Sequence, residues 1–121
     1  MQDPELDILI KELETVRDMS IADFDGVVHA LRFLLPDSAV VKTLTAEQAG
    51  TTDCAMLVAD DAYANWSVHI RGRANDKDGH WRCTLRENDS HDSDAAIGLG
   101  RAPVLAQAIL AAVIRLAMAQ K

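Results

Sequence analysis

The chain has 121 residues, with 12 lysines and arginines against 19 aspartates and glutamates, a formal net charge of −7. Hydrophobic residues make up 49 % and aromatics only 4 %, so aliphatic side chains must build most of the core of a single domain-sized unit. These numbers exclude a disordered chain and argue against whole-surface attraction to nucleic acid or anionic lipid, while leaving room for a local basic patch.

Residues 1–36 read as a helical hairpin. Asp3 suits the N-cap and Pro4 the first helical position, and Leu6, Leu9, Ile10, Leu13 and Val16 recur at helical spacing. Ser20 followed by Asp23 predicts a capping box, Phe24, Val27, Val28, Leu31, Leu34 and Leu35 form a second stripe, and Pro36 closes it. Residues 37–52 lose periodicity and read as a connection. A short helix is expected over 53–62, capped by Thr52 or Asp53, with Cys54, Leu57 and Val58 inward and Asp60 and Asp61 outward; a strand is the rival reading there.

A β-hairpin follows. Trp66, Val68 and Ile70 alternate with Ser67, His69 and Arg71, and Trp81, Cys83 and Leu85 alternate with Arg82, Thr84 and Arg86. Asn75 to Gly79 supplies the turn, Asn88 to Asp94 reads as a polar loop, and Ala95 to Leu99 as a third short strand. The last helix starts near Ala102 and Pro103 and is apolar nearly all round, broken by Gln107 and Arg115. Such a helix is either central to its domain or covered by a partner chain. The second option makes Val104, Ile109, Val113 and Leu116 the candidate seam of a homodimer.

Charge is unevenly placed. Residues 1–62 carry 13 acids and 4 bases, whereas residues 63–87 carry 3 acids and 5 bases. In the hairpin the outward positions are His69, Arg71, Arg73, His80, Arg82, Thr84 and Arg86, with both tryptophans on the inward side. Arginine forks match phosphate and carboxylate oxygens, so Arg71, Arg73, Arg82 and Arg86 are the candidate contacts to nucleic acid or another anion. A solvated face, or one paired to the acidic N-terminal helices, explains the same residues.

Catalytic and metal patterns are weaker. The 88–94 loop concentrates oxygen ligands but lacks the glycine and distal glutamate of an EF-hand loop. Ser90-His91-Asp92 are sequence neighbours, whereas a triad is assembled from separate parts of a fold. Gly98-x-Gly100 before a helix lacks a third glycine and reads as a tight strand-to-helix turn. Cys54 and Cys83 match no zinc or redox spacing. The expectation is therefore a protein without catalysis, metal or cofactor. With no secretory leader in view and the 103–119 stretch too short to cross a bilayer, the expected setting is cytoplasmic, with no membrane partner.

Three stretches carry a family resemblance: Leu9-Ile10-Lys11-Glu12-Leu13-Glu14; Thr52-Asp53-Cys54-Ala55-Met56-Leu57-Val58 followed by Trp66; and Gly100-Arg101-Ala102-Pro103 running into Val104-Leu105-Ala106-Gln107-Ala108-Ile109-Leu110-Ala111-Ala112. Together they resemble small phage and prophage proteins with the phage ABA sandwich domain. The resemblance implies a sheet layered between helices, supports a helix over 53–62, and implies no activity. The 88–94 loop and the arginine-rich strand face depart from that family's pattern.

The sequence thus predicts one α+β domain over 1–121: a helical hairpin, a short third helix, an antiparallel sheet of about three strands packed between helices, and a buried C-terminal helix. The expected function is a phage- or prophage-derived accessory role through contact with a phage or host protein, as a homodimer. The alternative is a nucleic-acid- or anion-binding module using the hairpin's outer face. Coverage of that face decides between them: open arginines favour anion binding, and arginines covered by acidic helices favour a structural role.

Overall fold

The computed structural model describes residues 4–64, 66–72, 81–87 and 97–120. They form six helices, α1 (Pro4–Thr15), α2 (Ile21–Leu34), α3 (Ala39–Thr43), α4 (Ala46–Ala49), α5 (Thr52–Ala62) and α6 (Leu105–Ala119), and three strands, β1 (Ser67–Arg71), β2 (Trp81–Arg86) and β3 (Ile97–Ala102). The strands make one antiparallel sheet in the order β1-β2-β3, so the fold is α+β as the pattern predicts.

The centre of the molecule is α6. Ile109, Leu110, Val113, Ile114 and Leu116 are fully buried within the single chain, each large aliphatic side chain stabilising by about 1.5–3 kcal/mol. The expected dimer seam is thereby corrected: Ile109, Val113 and Leu116 present no surface to a partner, and Val104 is half-buried at the helix N-cap. A helix that is apolar all round takes the central position here because α1, α5 and the sheet each cover part of it.

The sheet lies very close to α6. Gly98, Gly100 and Ala102 face the helix from β3, opposite Ala108 and Ala112, which are one turn apart on the same helix face. A Cβ at Gly100 would collide with the main chain of Ala108 and Ala112, and one at Gly98 would lie 2.7 Å from the Ala112 carbonyl oxygen. The Gly98-x-Gly100 pair is therefore part of a strand that admits a helix backbone, not the tight turn expected. Accordingly β3 runs to Ala102 rather than stopping at Leu99.

Local signals explain most of the helices. Ser20 and Asp23 form the predicted capping box at α2. The 37–52 segment is not a plain connection: Ser38 caps α3, and a Thr45/Gln48 capping box starts α4, so that Val41, Leu44 and Ala49 join the core. Arg32 ties α2 to this segment by donating to the carbonyls of Val41 and Leu44. The cap of α5 is Thr51 rather than Thr52 or Asp53. Its buried face is Ala55, Val58 and Ala59, while Leu57 is exposed and Cys54 half-buried. Asp61 points outward as expected, yet accepts hydrogen bonds from Ser38 Oγ and the Val40 N–H.

The two N-terminal helices both form, but they do not close on each other along their length. The buried residues of α1, Leu6, Ile10 and Leu13, serve a helix that packs mainly on α6, while α2 packs mainly on α4. Buried Gln107 of α6 fastens the far end of α1 by donating from Nε2 to the carbonyls of Leu13 and Val16. Glu14 receives both Nη groups of Arg115 and also the main-chain N–H of Arg101, and Arg115 donates in addition to the Leu99 carbonyl. Asp3 and the Asn75–Gly79 turn lie outside the described residues.

Candidate functional site

Strand register sorts the sheet residues into two faces. Toward α6 point Val68 and Ile70, then Trp81, Cys83 and Leu85, then Gly98, Gly100 and Ala102. Away from it point Ser67, His69 and Arg71, then Arg86, Thr84 and Arg82, then Ile97, Leu99 and Arg101. Successive side chains of a strand alternate in direction, so the outer face is a three-by-three grid.

One row of that grid is cationic throughout. Arg71 is directly opposite Arg82, and Arg82 directly opposite Arg101. Cross-strand partners have Cβ atoms about 4.5–5.5 Å apart, and like charges placed so are destabilising. Arg86 lies two grid rows away, beside Ile97. All four arginines are exposed, and none of their guanidinium groups meets a carboxylate among the described residues. An anion lying across the row relieves the repulsion and offers oxygens to planar forks suited to them.

The register therefore places three of the four expected contacts, Arg71, Arg82 and Arg86, on one face, sets only Arg71 and Arg82 side by side, and adds Arg101 to their row, which the hairpin alone does not reveal. Its signal was available: Arg101 continues the outward set of the third strand once Gly98 and Gly100 are placed inward. Arg73, His80 and the 88–94 loop, with the cation site considered there, lie outside the described residues. Ile97 is 47 % and Leu99 50 % exposed, so the same face pairs an aliphatic strip with the arginine row. Both tryptophans belong to the inner side, and Tyr63 is buried against Trp66 in an edge-on contact with ring centroids 5.1 Å apart. No Phe, Tyr or Trp ring stands on the described outer face.

Among the described residues the remaining reactive groups do not form a centre. Burial pushes the Cys83 thiol up to about 11 and the Tyr63 hydroxyl up to about 12, the direction opposite to that of an activated nucleophile. Neither cysteine is in a disulfide. Among the described residues no group of three His, Cys, Asp or Glu side chains is placed to hold a metal ion, and no helix is long and apolar enough to cross a membrane. The chain matches no protein-family model, no curated protein and no solved structure.

Proposed function

We propose that the protein acts by protein–protein contact, without catalysis, through the outer face of its sheet, and that the partner surface is acidic and partly aliphatic. The arginine row Arg71–Arg82–Arg101 carries this reading: three exposed like charges abreast favour an anionic partner, and their exposure supports anion binding over a structural role. Ile97 and Leu99 direct the choice of anion. An aliphatic strip beside arginines suits a polypeptide bearing Asp or Glu together with Leu or Ile, whereas a nucleic-acid strand gains most from aromatic stacking. The net charge of −7 also opposes accumulation on nucleic acid. A phage or prophage setting, with a phage or host protein as partner, is the context that the family resemblance suggests for such a contact.

Binding of a fluorescent peptide of alternating glutamate and leucine, run beside labelled single-stranded DNA, tests the reading. Saturable peptide binding that weakens with salt and drops about tenfold or more on Arg82→Ala is the expected result. Absence of peptide binding at low salt, or tighter binding of the DNA through the same arginines, overturns it.

A further inference from the structure

A second surface, remote in sequence from the arginines, lies between the N-terminal helices. Leu6 and Leu9 of α1 and Gly26, Ala30 and Phe33 of α2 line an open groove of about 520 Å³, with Glu5, Asp25 and His29 also on its walls. Phe33 is 57 % exposed. Gly26 is the informative residue. It sits inside α2, where glycine is less favourable than alanine by about 1 kcal/mol. A Cβ built there meets nothing within 4 Å. The contrast with Gly98 and Gly100 is sharp, because at those positions the chain's own α6 requires the missing side chain. At Gly26 nothing among the described residues requires it, and the room it leaves opens onto the groove.

The geometry points to this groove as the seat of an amphipathic helix from a partner protein, basic along its polar flanks. A helix laid between α1 and α2 sets apolar side chains at i, i+3/i+4 and i+7 against Leu9 and Phe33, over a floor of buried Leu6 and Ala30, and Gly26 lets its backbone come close. Charge selects the flanks: Glu5 and Asp25 are both acidic, within a 62-residue segment holding 13 acids and 4 bases. Lysines or arginines beside the apolar stripe pair with that rim, whereas a second copy docking through the same groove sets acid against acid.

The test uses the whole chain with two synthetic helices, one of leucine and lysine and one of leucine and glutamate, followed by calorimetry and by amide shift mapping. The leucine–lysine helix is expected to bind with shifts centred on α1 and α2, and the leucine–glutamate helix not to bind there. Gly26→Leu fills the groove and weakens binding about tenfold or more, while Gly26→Ala raises the melting temperature. Asp25→Lys, at an exposed position, weakens binding independently of any effect on packing. Unchanged affinity in Gly26→Leu, equal affinity for the acidic helix, or shifts confined to another surface overturns the proposal. Self-association of the peptide-free protein that Gly26→Leu abolishes assigns the groove to a second copy instead, and overturns it as well.

Discussion

Strands β2 and β3 are neighbours in one sheet and obey opposite rules. In β2 the large apolar residues, Trp81, Cys83 and Leu85, face α6, and Arg82, Thr84 and Arg86 face away. In β3 the residues facing α6 are Gly98, Gly100 and Ala102, and the aliphatic Ile97 and Leu99 face outward, about half exposed. The distance to the helix explains the inversion. Where α6 lies directly against β3, no side chain fits at Gly98 or Gly100, and the contact there is made against the main chain of Ala108 and Ala112. Burial on the inside of a sheet thus follows from the space available as well as from hydropathy, and the aliphatic side chains of β3 stand on the outside instead.

The comparison can be broken most severely at Gly100. Gly100→Val places three carbons where the α6 main chain runs, and is expected to cost about 3 kcal/mol or to prevent folding, measured by urea unfolding. A wild-type unfolding curve in that variant means that α6 does not lie where the structure places it. A smaller effect comes from the inward side of β2. The buried Cys83 thiol ionises near 11 in the folded chain against 9.0 for an ordinary thiol. Its contribution to stability is complete below about pH 9 and is lost as pH rises from there toward 11, because the unfolded chain releases the proton first. Unfolding curves across that range, compared with Cys83→Ala, isolate this contribution; the variant is expected to show the weaker alkaline slope. The smallest effect belongs to the outward side of β3. Ile97→Thr and Leu99→Thr are expected to change stability by no more than about 0.5 kcal/mol, while reducing binding of the glutamate–leucine peptide. Marked destabilisation by either substitution shows that the strip serves the fold rather than a partner.

How far the sequence could be read follows the same division. Signals that reside in neighbouring residues are legible: the Ser20/Asp23 box, the Leu6, Ile10 and Leu13 part of the α1 stripe and the alternation of β2 correspond to what the structure contains, whereas Val16 lies beyond the helix and is exposed. The Thr45/Gln48 box is equally local, yet it sits in a segment too short for periodicity, where the pattern alone predicts only a connection. β3 was truncated because two glycines resemble a turn until the helix that demands them is in place. Likewise, nothing in α6 itself distinguishes cover by the same chain from cover by another, since the answer depends on α1, α5 and the sheet arriving around it. Of the candidate site, the arginines of the hairpin could be read directly. Their joining by Arg101 required the register between β2 and β3, which is a property of the assembled sheet.

The link between Glu14 and Arg115 has a further consequence. An edge strand carries main-chain donors and acceptors that a foreign strand can adopt, and proteins that leave them bare risk joining edge to edge. On β3 the Arg101 N–H is engaged by the Glu14 carboxylate and the Leu99 carbonyl by the Arg115 guanidinium. Two of the main-chain groups that a newcomer would use are already occupied, by side chains from two different helices. The rim of the sheet is thereby made less open to a foreign strand at that point of β3.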